Sequence, residues 1–193
     1  MFPTTLWTAI RLAGDADASA LETFARSYRP PILSYVRSRG FSENEADDIC
    51  QDAFVRILAG DVLAKASAAR GRFRCLVLTV VVRTIQDRLR RRKSEQSLGE
   101  HDPADRDPDF DRQWVLHLSE RALKRLGDQG SPYYEVLRRH LEGEPQDRRR
   151  LHNARKKLIA LIRAEVAETC SSQQEFAAEV AYLSEFLRPA KNP

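Results

Sequence analysis

Glycine, cysteine and long apolar runs are scarce in this chain, and each scarcity excludes a class of protein. Glycine contributes 8 of 193 residues, and no glycine-rich phosphate loop is found. The 3 cysteines lie far apart in apolar helical patterns, which argues against a disulfide framework or a CxxC metal site. No stretch is long and apolar enough to span a membrane, and the N-terminal residues lack the pattern of a signal peptide. We therefore expect a cytoplasmic protein without membrane insertion.

Residues that could form a catalytic or metal site do not occur in a recognisable arrangement. The 4 histidines are scattered, with no HExxH motif and no paired Cys/His spacing. Nothing in the sequence holds two carboxylates in an apolar cleft, where a raised pKa could produce a general acid. We therefore expect no metal, no cofactor and no enzymatic activity.

Charge is abundant and unevenly distributed along the chain. Charged residues make up 31% of the sequence, with 32 Lys+Arg against 28 Asp+Glu. Bases concentrate in residues 70–93 and 148–163, whereas acids concentrate in residues 95–111. The net charge of +4 says little, but this sorting is typical of nucleic-acid-binding proteins.

The apolar residues recur mostly at helical spacing, which predicts an all-α fold. Helix-start signals occur at Ser42, at Ser131 with Pro132 after it, and at Ser172; Ser42 and Ser172 have capping-box spacing to a glutamate. These signals predict helices over residues 43–59, 132–141 and 173–187.

Residues 94–112 are acidic, contain proline and have almost no apolar side chains. Such a segment has little to pack on a core. We interpret it as a flexible linker between two small helical domains, residues 1–93 and residues 113–188.

Residues 47–58, DDICQDAFVRIL, predict an amphipathic helix with an unusually acidic polar face. The apolar half carries Ile49, Cys50, Ala53, Phe54 and Ile57. A solvated surface is the simplest interpretation of the other half. The alternative is a docking face for a basic helix. The polar half consists of Asp47, Asp48, Gln51, Asp52 and Arg56.

Residues 71–93 predict a mostly apolar helix with a narrow polar stripe, although the Val80–Val82 run could also lie in a strand. The helical spacing of the stripe favours the helix. Its arginine-rich end exceeds what the helix dipole would attract, and close arginines repel one another unless phosphates or carboxylates lie opposite. The stripe and this end predict contact with a nucleic-acid backbone through Thr79, Arg83, Gln86, Arg90 and Arg91.

Several linked motifs resemble the extracytoplasmic-function group of bacterial RNA polymerase sigma factors. The DDICQDAFVRIL stretch resembles the group's D-L-x-Q-[ED]-x-F-x-R-L helix, and FRCLVLTVVVRTIQDRLRRR resembles its F-R-x-W-L…D-x-L-R-R-R helix. The opening FPTTLW is similar to a subgroup that begins FPTT-x-W. The resemblance implies an all-α protein whose residues 1–93 form sigma region 2 and whose residues 113–188 form a region 4-like domain.

The resemblance also assigns roles to residues. It implies that Asp48, Gln51, Asp52 and Arg56 dock on the clamp helices of the polymerase β′ subunit. The loop of residues 65–74 would capture a base flipped from the minus-10 promoter element, with small residues leaving room for the base. Phosphates in that loop would be held by Lys65, Arg70, Arg72 and Arg74. Leu76 or Cys75 stands where the family commonly has a tryptophan.

The segment RRRLHNARKKL resembles the recognition helix of the family's region 4. Where the family carries about a helix and a turn before it, this chain has only EPQD, so the first half of a helix-turn-helix is missing. Asparagine suits adenine and arginine suits guanine in the major groove. The residues expected to face DNA are Arg149, Arg150, His152, Asn153, Arg155 and Lys156.

The function implied is a transcription initiation factor that directs core RNA polymerase to promoters, with the β′ clamp helices, the β flap and promoter DNA as partners. An anti-sigma factor is a further possible partner. One alternative is a sigma-like interaction module that binds polymerase without full promoter recognition. Another is a helical DNA-binding regulator that acts without polymerase.

Overall fold

The computed structural model describes residues 18–59, 73–92, 107–170 and 172–186. Every regular element in these ranges is an α-helix, which confirms the predicted all-α class. None of these helices is sufficiently long and apolar to cross a lipid bilayer. The helices are α1 (Ala18–Ser38), α2 (Glu43–Leu58), α3 (Phe73–Arg92), α4 (Pro108–Asp128), α5 (Pro132–Leu141), α6 (Arg148–Glu168) and α7 (Gln173–Leu183).

The predicted serine caps start three of these helices. Ser42 and Glu45 form a complete capping box at α2, in which the Ser42 backbone N–H donates to a Glu45 carboxylate oxygen at 3.0 Å. Ser131 caps α5 ahead of Pro132. Ser172 accepts from the Glu175 N–H at 3.1 Å and caps α7, which ends at Leu183, whereas the predicted end at residue 187 lies outside the described residues.

The N-terminal core is formed by α1, α2 and α3. Phe24, Tyr28 and Phe73 form an aromatic cluster in which Tyr28 and Phe73 meet edge to face at 5.4 Å. The apolar half of α2 that the sequence predicted is largely buried, with Phe54 only partly so. Burial of these side chains fixes the orientation of α2, so its polar half faces solvent.

Helix α4 packs on α1 and extends the same core. It begins at Pro108, inside the segment that the sequence predicted as linker, and Asp107 caps it. Tyr35 and Phe110 meet edge to face at 5.4 Å, and the Tyr35 hydroxyl donates to Asp107 at 2.6 Å. One cluster of buried residues therefore includes side chains from both sides of residues 94–106, which lie outside the described residues.

The remaining helices form a smaller cluster against the far end of α4. Leu126, Val136, Leu137 and Ala154 are its buried members, from α4, α5 and α6. Helices α5 and α6 pack on each other and are joined by residues 142–147, with Gly143 at a φ of 83° in the turn. Helix α7 then packs back on α6 and the larger core.

Candidate functional site

The outward half of α2 presents a mixed acidic and apolar surface. Asp48, Gln51 and Asp52 are exposed, as the helical spacing predicted. Val55, one turn beyond Gln51, has 66% of its surface exposed, and Leu58 is also exposed. We call the surface formed by Asp48, Gln51, Asp52 and Val55 the α2 face. The α2 face therefore combines exposed carboxylates with exposed apolar area.

Two reciprocal ion pairs join α2 to α3 at the edge of the α2 face. The Arg88 guanidinium lies 2.8 Å from Asp48, and the Arg56 guanidinium lies 2.7 Å from Asp87. Both pairs are partly exposed, so each stabilises the fold by only about 0.2–1 kcal/mol. They orient the two ends of the α2 face, and among the described residues no ion pair is found for Asp52 between them.

Only part of the polar stripe of α3 is exposed to solvent. Arg83, Arg90 and Arg91 are exposed, whereas Thr79 and Gln86 are half-buried. The Thr79 hydroxyl donates to the Cys75 carbonyl at 2.8 Å, so it satisfies the backbone of its own helix. Arg90 lies 3.7 Å from Asp87, one turn before it. The arginines therefore form the accessible part of the predicted stripe.

Arg74 is buried in a cluster of ion pairs. Its side chain is 3% exposed, with Nε donating to Glu179 at 2.7 Å and Nη1 in contact with Asp111. Its guanidinium also lies 5.4 Å from the centroid of the Tyr182 ring. Because these partners enclose the cation, Arg74 is not accessible to DNA phosphates in this conformation, and its contact with DNA stays a prediction.

The other three predicted phosphate contacts of the loop lie outside the described residues. They are Lys65, Arg70 and Arg72. The rest of the predicted base-capture loop up to residue 72 also lies outside the described residues.

The N-terminal half of α6 displays the basic side chains that the sequence predicted. The Asp147 carboxylate accepts from the Arg150 N–H at 2.8 Å and caps the helix, whose first turn contains arginines and no acid. Ala154 faces the core and Leu151 is half-buried. The exposed set comprises Arg149, Arg150, His152, Asn153, Arg155, Lys156 and Lys157.

Arg155 also contacts α5. Its Nη2 lies 2.8 Å from Nε2 of His140, which ties the exposed edge of α6 to the end of α5. The structure thus brings the α6 bases together on a two-helix hairpin. It shows no further helix between α5 and α6.

Sequence reasoning missed the acids that enclose Arg74. Asp111 is fully buried on α4, and Glu179 has 3% of its surface exposed on α7. Asp111 belongs to the acidic stretch interpreted as linker, where adjacent Phe110 is an apolar signal for a docked helix. The burial of both acids depends on Arg74, which is distant from each of them in the sequence.

Buried thiol chemistry does not contribute to these surfaces. Burial raises the pKa of the Cys50 thiol to about 11, so the group stays protonated and unreactive near neutral pH. No group of histidine, cysteine and acidic residues suited to a metal ion occurs in the part of the chain that the structure describes.

Residues 24–95 match the family model described as Sigma-70 region 2. The match supports a sigma factor. It covers most of α1 and all of α2 and α3, the helices that carry the α2 face and the arginine stripe. Sigma factors are non-catalytic proteins of transcription initiation, and region 2 implies binding to core RNA polymerase and promoter DNA. Searches of curated proteins and of solved structures found no match.

Proposed function

We propose that the chain is a sigma factor of the extracytoplasmic-function group, which binds core RNA polymerase and directs it to specific promoters in the cytoplasm. Three steps are involved. The α2 face docks on the β′ clamp helices, arginines of α3 anchor DNA phosphates, and the minus-10 element is opened by capture of a flipped base. The β flap is a second contact on polymerase, and an anti-sigma factor is a further candidate partner.

The exposed α2 face is the observation that carries this proposal. Asp48 and Asp52 offer negative charge, Gln51 offers an amide, and Val55 offers apolar area in the same patch. A basic helix with apolar positions would complement all three properties. The buried side of α2 prevents the helix from turning these groups inward.

Contact with DNA is supported by exposed basic side chains on α3 and α6. Arg83 and Arg91 are exposed on α3, and no ion pair is found for them among the described residues. Arginines held apart from carboxylates keep their donors available for phosphate oxygens. On α6 the row of Arg149, His152, Asn153 and Lys156 occupies the side away from Ala154.

The short connection between α5 and α6 favours a second candidate, a polymerase-binding module without full promoter choice. In a helix-turn-helix, the first helix braces the recognition helix across the DNA backbone. Here residues 142–147 alone separate α5 from α6. Reading of a minus-35 element by α6 is therefore the part of the proposal with the least support.

A polymerase pull-down followed by run-off transcription tests both candidates. The chain is immobilised, incubated with bacterial core RNA polymerase, and the eluted complex is given a randomised promoter library. Enrichment of a promoter sequence among the transcripts supports the sigma factor. Binding without initiation supports the interaction module, whereas no retention of polymerase contradicts both and leaves the regulator that acts on DNA alone.

A further inference from the structure

Three helices meet at the buried side chain of Arg74, which is the second residue of α3. Asp111 comes from α4 and Glu179 from α7, and the side chains of Arg74, Asp111 and Glu179 are all less than 5% exposed. The Tyr182 hydroxyl donates to Asp111, and its ring lies beneath the guanidinium. Two carboxylates therefore form ion pairs with the arginine that ends the predicted base-capture loop.

Carboxylates and phosphates compete for the same feature of arginine. A guanidinium presents its donors as a planar fork that fits either anion in bidentate fashion. The acids around Arg74 thus balance its charge with anionic oxygen atoms, as a DNA phosphate would. As long as they remain, Arg74 has no route to an external anion.

Release of Arg74 and displacement of α7 are coupled by electrostatics. If Arg74 swung out alone, Asp111 and Glu179 would remain as two buried like charges without a cation. Removal of one partner from a buried ion pair leaves an uncompensated buried charge, which strongly disfavours that state. If α7 also moves away, it takes Glu179 into water and leaves Asp111 open to solvent. Two arrangements are therefore favoured: in one, Arg74 is paired and α7 is docked, and in the other, Arg74 is released and α7 is displaced.

Helix α7 has few fully buried side chains. Among its residues only Glu179 and Leu183 are buried, and Phe176, Val180 and Tyr182 are half-buried. The backbone of α3 is anchored independently by Phe73, which packs on Phe24 and Tyr28. Elements with few buried contacts open at a lower free energy than the core they cover.

We propose that α7 is an intramolecular lock that withholds Arg74 from DNA until the helix is displaced. The inference rests on the proposed function, because it assumes that the segment before α3 meets promoter DNA. In the locked state Glu179 and Asp111 stand in for phosphate. In the open state Arg74 contacts the DNA backbone beside the captured base.

A pair of charge-reversal variants of the full chain tests the lock. Glu179→Lys places a cation against Arg74, whereas Glu185→Lys makes the same charge change at an exposed position just after α7. Binding to a fluorescent A·T-rich single-stranded DNA is measured by anisotropy over a range of salt. We expect E179K to bind at least about threefold more tightly than E185K, with a salt slope steeper by roughly 0.7, the value for one phosphate contact.

The double variant R74A/E179K identifies the group responsible. We expect it to lose the gain, because the released arginine is then missing. If E179K binds no better than E185K, or if the gain persists without Arg74, the lock is refuted. Failure of the parent chain in run-off transcription would instead refute the proposed function, so the two outcomes are distinguishable.

Hydrogen exchange on the unmodified chain provides a second test, which does not depend on whether a variant folds. Core polymerase and the same DNA are added together, and exchange of the α7 amides is followed by mass spectrometry. Faster exchange over Gln173–Leu183 in the complex supports displacement of the helix. Unchanged or slower exchange there overturns the proposal.

Discussion

Tyr28 of α1 and Trp114 of α4 stack with ring centroids 4.7 Å apart and an interplanar angle of 24°. Both side chains are at most 1% exposed. Trp114 lies outside the segment that matches region 2, which ends at residue 95. The helices of the matched segment therefore bury part of their core against a helix that follows that segment.

Replacement of Trp114 tests whether these helices unfold together. Trp114→Ala removes a large buried ring, and such changes cost about 3–5 kcal/mol of unfolding free energy. We expect one cooperative transition, shifted as a whole, in urea denaturation followed by circular dichroism. Leu116→Ala, on the exposed side of the same helix, should change the unfolding free energy by less than about 0.5 kcal/mol. Two separate transitions in the parent would instead support independently folding domains.

Charge reversal on the α2 face tests polymerase docking. Asp52 is exposed and lies between the two ion pairs to α3, so Asp52→Lys should leave the fold intact. We expect loss of core polymerase in a pull-down, because a cation then faces the basic partner surface. Glu120→Lys makes the same charge change on the exposed side of α4 and should retain polymerase. Equal retention by both variants would exclude the α2 face as the docking surface.

The arginines at the end of α3 are expected to contribute to the salt dependence of DNA binding. Arg90→Ala with Arg91→Ala removes two exposed cations, and each phosphate contact to duplex DNA contributes roughly 0.9 to the slope of log K against log salt. We expect weaker promoter binding and a slope flatter by about 2. The pair R112A/K124A removes two exposed cations from α4 and serves as control. A slope like the parent's in R90A/R91A would argue against phosphate contact there.

His117 makes the stability of the chain depend on pH. Burial and the nearby charge of Arg121 lower the pKa of His117 to about 4, although a hydrogen bond with the Arg26 backbone opposes this. The unfolded chain has a histidine pKa near 6.5, so it binds more protons than the folded chain between about pH 4 and 6.5. The stability present above about pH 6.5 is therefore lost as the pH falls through this window.

Replacement by glutamine should remove this dependence. This lowering of the His117 pKa corresponds to a loss of about 2–3 kcal/mol in the free energy of unfolding between pH 7 and pH 4. We expect urea denaturation of His117→Gln to show a flatter decline in unfolding free energy from pH 7 to pH 4.5 than the parent. His152→Gln changes an exposed histidine and should follow the parent. Parallel curves for all three proteins would contradict the assigned pKa.

Local signals in the sequence were sufficient to predict much of the helical structure. The serine caps and the spacing of Ile49, Ala53 and Ile57 determine where α2 begins and which half it buries. The same spacing predicts that Asp48, Gln51 and Asp52 are exposed. These properties depend on residues within a few turns of one another, so a single sequence contains them.

Properties that depend on distant partners were not predicted. Arg74 was interpreted from its basic neighbours, but its environment is set by Asp111 and by Glu179, which is 105 residues away. The start of α4 at Pro108 was missed because Asp107, Asp109 and Asp111 give the segment the composition of a linker. Only the tertiary structure shows that Phe110 and Asp111 enter the core.

The first turn of α6 begins with Arg148, Arg149 and Arg150, and no acid offsets them there. Backbone N–H groups give a helix start a partial positive charge, so each cation disfavours the folded turn by about 0.3–1 kcal/mol. Glutamates at these three positions would therefore raise the melting temperature of the chain. Their negative charge would also make this surface repel nucleic acid. The Asp147 carboxylate at the cap opposes this effect, and a bound polyanion would add to that stabilisation.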